Sequence, residues 1–412
     1  MNIKITNEES QNGFKKFTFK SKKPKFFKFN QNRFIFLIIL ITIIALTVSG
    51  ITYILYKPSI FNTIITASNV NPTNTPEVPK IIYVESPING TFISEDKLQT
   101  LEKNKVLAVM IENLGGIDGA RPQSGLQDAD IVYETEAEGD ITRFMALFWN
   151  HNLEQNSSKL PVPTVVKPIR SARKYFLDWE QEYNNPVYMH IGQAESTNPD
   201  TNALGALSQE NILDLTGATN SFNRDHKCEK IKALEHCAFS DTSTLWKIAQ
   251  SNGWTNLGNI QKLLYKDDNI LDTNASSPLP TNKIVVSFES DFATYGVNWT
   301  YDPITNSYLR FDGTNKPFID ANTNSQVNTK VLIVQKTNIS VSPDDGKYHK
   351  VIKTIGSGDA WVLQDGKSTL ATWQKDSLTS RTRYFDKLTG KELSLNRGKM
   401  WITVTGKSPV LS

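Results

Sequence analysis

Phe34–Tyr56 reads FIFLIILITIIALTVSGITYILY, twenty-three residues without a single charge, closed by Arg33 and Lys57. No other stretch restricts the chain as much. As a helix it reaches about 34 Å, enough to cross a hydrocarbon core of about 30 Å with some tilt. Its many β-branched residues are no obstacle, because in lipid the backbone satisfies its own hydrogen bonds. Residues 1–56 hold nine Lys or Arg against Glu8 and Glu9, whereas between Pro58 and Ile81 the one basic residue is Lys80. The more basic flank stays in the cytoplasm. The sequence therefore predicts a cytoplasmic leader over 1–33, a single-pass transmembrane helix over 34–56 and a main body outside the cytoplasm. A cleaved signal peptide is the competing reading. Its apolar part would be shorter, about 7–15 residues, and would lead to a cut beside small residues such as Ala67 and Ser68.

The net charge of +3 hides this asymmetry: the first 56 residues carry +7 and the remainder −4. A mildly acidic body gives no support to nucleic-acid binding, which needs a clustered basic surface. Two cysteines, Cys228 and Cys237, exclude a disulfide-rich scaffold and a four-cysteine zinc site. Outside the cytoplasm they can close one small loop as a disulfide; two separate thiols are the alternative. His226 and His236 flank them, but the spacing matches no usual zinc ligand pattern.

Residues 57–100 read as a linker, with Ala67–Lys80 (ASNVNPTNTPEVPK) rich in Asn, Thr and Pro. Strand-like and helix-like segments then alternate. Val106–Ile111 and Phe144–Trp149 are apolar runs, and Asp130–Glu136 alternates. Val162–Val166 and Val187–Ile191 suggest strands, and Ser171–Tyr183 has helical spacing with Ser171 as N-cap. After Leu271–Pro280 the pattern turns to short strands separated by turn pairs such as Asp365-Gly366 and Thr389-Gly390. The expected class is α+β: an N-terminal mixed α/β domain over 101–275 and a C-terminal, mostly antiparallel β-domain over 281–412, behind the membrane helix.

Charged residues concentrate in Ala120–Arg143 (ARPQSGLQDADIVYETEAEGDITR) and Pro168–Asp178 (PIRSARKYFLD). Strand alternation would turn Glu134, Glu136 and Glu138 to one face. Glu134 and Glu138 would then be a carboxylate pair for acid/base work, with His190 or His236 assisting. Arg170, Ser171 and Arg173 would lead into a helix N-terminus, which favours anions, and guanidiniums bind carboxylate and phosphate in a bidentate manner. Arg121, Arg143 and Asp178 complete the candidate ligand-binding set. Against this, charged strand residues commonly form a solvated face, and Arg–Glu pairs commonly only tie elements together. No phosphate loop, dinucleotide fingerprint or serine-hydrolase elbow is present, so no cofactor and no metal are expected.

The blocks ARPQSGL (120–126), ADIVYE (129–134), EGDITRF (138–144) and PIRSARKYFLD (168–178) resemble the YerB-like lipoproteins, a bacterial family of unknown function. So do WTYDPITNSYLR (299–310), Gly356–Val362, residues 372–375 and Asn396–Thr403. The resemblance covers most of 105–405 and implies an extracytoplasmic protein of paired N- and C-terminal domains, without bringing a reaction. Lipoprotein members carry a lipidated cysteine after a short signal. This chain has no cysteine near its apolar run, so a helix would replace the lipid. Family members often have Gly-Gly where this chain has Gly139-Asp140, and tend to show Pro-His-Asn where it has Glu235-His236-Cys237. Two functions follow. One is an envelope binding module that holds an anionic glycan, peptide or protein partner through the arginines. The other is an envelope hydrolase or transferase using Glu134 or Glu138. Nothing in the sequence addresses oligomeric state.

Overall fold

The apolar run near residue 110 forms the strand β1 (Leu107–Glu112), buried at every position. The computed structural model describes residues 80–116, 119–153, 156–269, 283–288, 292–343 and 346–412, and these belong to one compact unit. β2 (Ile131–Glu136) and β3 (Thr142–Phe148) are equally buried on both faces. The N-terminal region also holds the helix α1 (Lys174–Glu180), the short strands β4 (Val187–Met189) and β5 (Leu213–Asp214) and the helix α2 (Thr242–Ser251), besides a short helix over Ala203–Gln209. Strand burial on both sides requires cover on both faces, and the helices supply part of it.

The C-terminal region begins with β6 (Lys283–Val286), β7 (Val297–Asp302), β8 (Ser307–Asp312) and β9 (Asn328–Thr329). There follow β10 (Val331–Lys336), the hairpin β11 (Ile339–Val341) and β12 (Lys350–Ile352), then β13 (Gly356–Gln364) and β14 (Lys367–Lys375). β15 (Arg383–Asp386), β16 (Met400–Thr405) and β17 (Val410–Leu411) end the chain. One ten-stranded sheet runs through both regions in the order β15-β14-β13-β10-β16-β2-β3-β1-β4-β5. The junction is parallel: Met400 lies beside Ile131 and Thr403 beside Glu134. A second sheet, β9-β8-β7-β6-β17, comes from the C-terminal region alone.

Side-chain alternation divides the core between the two faces of the long sheet. One face carries Ala108, Met110, Tyr133 and Met145 under Tyr175, Phe176 and Trp179 of α1. The other carries Val109, Val132 and Phe144 against Leu245 of α2 and Val286, Trp299 and Tyr308 of the smaller sheet. The architecture is mostly sheet with few helices, an α+β arrangement. Among the described residues no helix is long and apolar enough to cross a membrane. The predicted leader 1–33 and span 34–56 lie outside the described residues, as does the break at 271–280.

Two boundaries differ from expectation. The linker was expected to run to residue 100, but Tyr83–Glu85 and Phe92–Ser94 pair as a hairpin and Glu95–Leu101 is helical. Ile88, Ile93, Leu98 and Leu101 anchor that segment in the core, apolar residues whose spacing is broken by turn residues. The helix expected from Ser171 starts at Lys174 with Arg173 at its N-cap. Residues 168–172 are extended instead, because Arg170 N donates to Met110 O and Ala172 N to Gly192 O.

Glu134 ties the two regions together. Its Oε1 accepts from Arg310 Nη2 of β8 at 2.7 Å and its Oε2 from Trp401 Nε1 of β16 at 3.0 Å. The Arg310 guanidinium lies 3.9 Å from the Phe318 ring centroid. Burial pushes the Glu134 carboxyl up, opposed by the Arg310 charge and the Trp401 hydrogen bond. Removing one partner of a buried ion pair strands the other and costs about 3–5 kcal/mol. Chemical denaturation should show a loss of that order for Glu134→Gln. The double change Glu134→Gln/Arg310→Met should be more stable than Glu134→Gln alone.

Candidate functional site

Glu112 ends β1 on the face shared with Met110 and α1. Arg143 of β3 is its cross-strand neighbour. The extended segment 168–172 runs beside the end of β1, where Glu112 N donates to Pro168 O, and this carries Arg170 to the Glu112 carboxylate. Arg170 Nε stands 3.1 Å from Oε1, and His236 Nδ1 stands 2.7 Å from Oε2. His236 comes from a loop closed by the Cys228–Cys237 disulfide. Glu112 is 3 % exposed in its side chain, His236 7 % and Arg170 27 %. One buried carboxylate therefore hydrogen-bonds His236 and ion-pairs with Arg170 at the carboxyl ends of β1 and β4, the end of a sheet where ligands commonly bind. The terminal nitrogens of Arg170 and Nε2 of His236 make no hydrogen bond to the described residues.

Arg143 and Arg173 stand next to this group. Arg143 Nη1 donates to Ser171 O at 3.1 Å, and its buried Nε has no acceptor among the described residues. Burial and the neighbouring Arg173 charge draw Arg143 down to about 10. Arg173 Nε reaches both oxygens of Glu138 at 2.7 Å, and His349 Nε2 lies 3.9 Å from Glu138 Oε1. His349 belongs to the C-terminal region, so both regions meet at Glu138. Burial pushes the Glu138 carboxyl up, but the hydrogen bonds and charge of Arg173 outweigh it and hold the group below the usual range. Asp178 pairs with Lys174 and accepts from Thr354 Oγ1 at 2.6 Å.

The expected pairing of Glu134 with Glu138 is not formed. β2 ends at Glu136 and a tight 3-10 turn with Gly139 at positive φ follows, so strand alternation does not extend to Glu138. Glu134 faces the smaller sheet, while Glu138 meets Arg173 at the start of α1. Arg121 lies with Glu134 and Arg310 and not with Arg143, Arg170 and Arg173: its Nε donates to Asn113 Oδ1 at 2.8 Å and its guanidinium is 5.2 Å from the Phe318 ring. Burial and the nearby Arg310 charge lower Arg121 to about 10. His190 is buried with Nδ1 2.8 Å from Gly192 O; its Nε2 stands 3.2 Å from Asp214 Oδ1 but makes no hydrogen bond to the described residues. Ser171 contributes its carbonyl rather than a helix cap. Glu112, Arg310 and His349 were not among the expected residues. Glu112 had a signal, the one charge ending the apolar run VLAVMIE.

Comparison with known proteins places this arrangement in a class whose N- and C-terminal parts recur together. Residues 93–255 match "Protein of unknown function (DUF3048) N-terminal domain" and residues 284–402 match its C-terminal domain. The chain belongs to the DUF3048 family. It is 26% identical over 307 residues to "Putative lipoprotein YerB" of Bacillus subtilis (strain 168), covering 74% of this chain and 82% of that protein. The crystal structure of YerB protein from Bacillus subtilis superposes with a TM-score of 0.62 at 22% identity, covering 80% of this chain and 99% of that one. That likeness establishes the fold.

The Glu138–Arg173 pair has a definite pH signature. An unfolded Glu titrates near 4.5 and the folded Glu138 lies below it. Its contribution to stability is thus complete above the unfolded value and lost as pH falls through the folded one. Unfolding measured from pH 6 to 3 should show Glu138→Gln with a shallower acid loss than the wild type.

Proposed function

We propose that the chain is a membrane-tethered protein of the cell envelope whose folded body lies outside the cytoplasm and holds an anionic ligand or partner at Arg170, His236 and Arg143. The observation that carries the binding reading is Glu112. A single buried carboxylate fixes Arg170 and His236 side by side and leaves the Arg170 terminal nitrogens and His236 Nε2 unspent. Arg143 adds a buried N–H without an acceptor. Such preset donors suit a carboxylate or phosphate group on a glycan, peptide or protein. The location is supported by the uncharged run at 34–56, the basic leader before it and the lipoprotein description of the YerB relative.

An envelope hydrolase or transferase is the second reading, and one observation favours it. A carboxylate on Nδ1 with Nε2 left open is how a histidine is oriented for proton transfer. His236, positioned by Glu112, would then be the acid/base in place of Glu134 and Glu138.

Calorimetry on the full-length chain in detergent tests the binding reading with inorganic phosphate and a poly-glutamate peptide as probes. Arg170→Gln should weaken binding about tenfold, or ~1.4 kcal/mol, and added salt should weaken it further. Equal affinity in the variant would remove the anion site. For location, a protease added to intact wall-stripped cells should cut the body while the chain stays with carbonate-washed membranes. Cutting only after lysis would reverse the proposed orientation.

A further inference from the structure

The hairpin β11–β12 of the C-terminal region lies along α1 of the N-terminal region. His349 reaches toward Glu138, Thr354 bonds Asp178, and Ser342 accepts from Asn198 Nδ2 at 3.1 Å. Between helix and hairpin is a cleft of about 620 Å³, within the range of about 300–1,000 Å³ typical of small-ligand sites. Its walls come from both sequence regions.

Most of the cleft's charge is internally matched. Lys174 pairs with Asp178 and also lies 3.1 Å from Glu210. Two lining groups are different: the Lys353 ammonium and the Asp200 carboxylate are exposed, and neither side chain bonds to any described residue. The same wall offers the amide of Asn338 and the hydroxyl of Ser340, with Val351 and Ile355 as apolar surface. The Lys353 side chain is also steered. It crosses Gly356, where an added Cβ would come 3.0 Å from its Cε and 3.1 Å from its Nζ. Gly356 has φ +114°, so the position both suits glycine and leaves room for the ammonium.

We propose that this cleft binds a zwitterionic, peptide-like ligand, with Lys353 taking its carboxylate and Asp200 its ammonium group. A polyanion would meet Asp200 and Asp178. A neutral glycan would want an open aromatic face, and Tyr175, the aromatic lining residue, is buried with its hydroxyl donated to Glu136 O at 2.7 Å. A short peptide uses every unspent feature: one end group for each charge, amides for Asn338 and Ser340, and side chains for the apolar wall. The inference is independent of the anion site, with which it shares none of its recognition groups.

The test is calorimetry on the full-length chain in detergent with tetra-alanine as the probe. Forms blocked by N-acetylation, by C-amidation, or by both are compared with it. Tetra-alanine with free ends should saturate the protein, and blocking either end should weaken it about tenfold. Lys353→Ala should bind free and amidated peptides alike while still preferring a free amine. Asp200→Asn should show the opposite loss. Arg170→Gln should leave all of these affinities unchanged, which separates this site from the anion site. Lys353 and Asp200 are exposed, so unchanged melting temperatures will show that those two variants fold. Failure of tetra-alanine to saturate the wild type, equal binding of the doubly blocked peptide, or full end-group preference in both variants overturns the proposal.

Discussion

The parallel pairing of Met400–Thr405 with Ile131–Glu136 is the constraint on which the rest of the structure depends. It inserts a strand from the end of the chain beside one from the N-terminal region and makes one sheet of two sequence regions. The Glu134–Arg310–Trp401 contact stands on this seam and couples the long sheet to the smaller one behind it. A buried ion pair is weak evidence of net stabilisation, since desolvating two charges offsets most of their attraction. What it does contribute is geometric selectivity: a shift of β16 by one residue would turn Trp401 away from Glu134 and leave Oε2 without its indole donor.

The same alternation explains why the charged motifs separate. Glu112 and Arg143 fall on the face under α1, and Glu134 falls on the face toward the smaller sheet. Residues that look like one cluster in the sequence become two, with a layer of backbone between them. One is sealed and holds the fold. The other reaches the surface at the strand ends and retains donors that the protein itself does not use.

Element identity was legible where the pattern was regular. The apolar runs near 107 and 144, the alternation over 131–136 and the turn-punctuated strands after 283 all became strands. Their partners were not legible. Nothing in the residues of 400–405 says that they lie between 331–336 and 131–136, because a fully buried strand is apolar whichever neighbour it has. For the site, Arg143, Arg170, Arg173 and Glu138 did come together, since 138–143 and 168–173 flank strands and a helix that meet. Glu112 and His349 entered only through tertiary contact. His236 was visible as a residue but not as the partner of a carboxylate 124 positions away. The Glu134–Glu138 pairing failed because periodicity tells which face a strand residue takes, not that this strand stops at Glu136.

A chain made from its N-terminus reaches β16 long after β2, with Trp401 267 positions beyond Glu134. Until residue 405 has emerged, β2 has one unpaired edge, with backbone donors and acceptors directed at nothing of its own. The long sheet is therefore closed only when β16 arrives, and its pairings across hundreds of residues are the slow kind to form. For that interval the growing body presents an open strand edge, and whatever meets it first competes with β16.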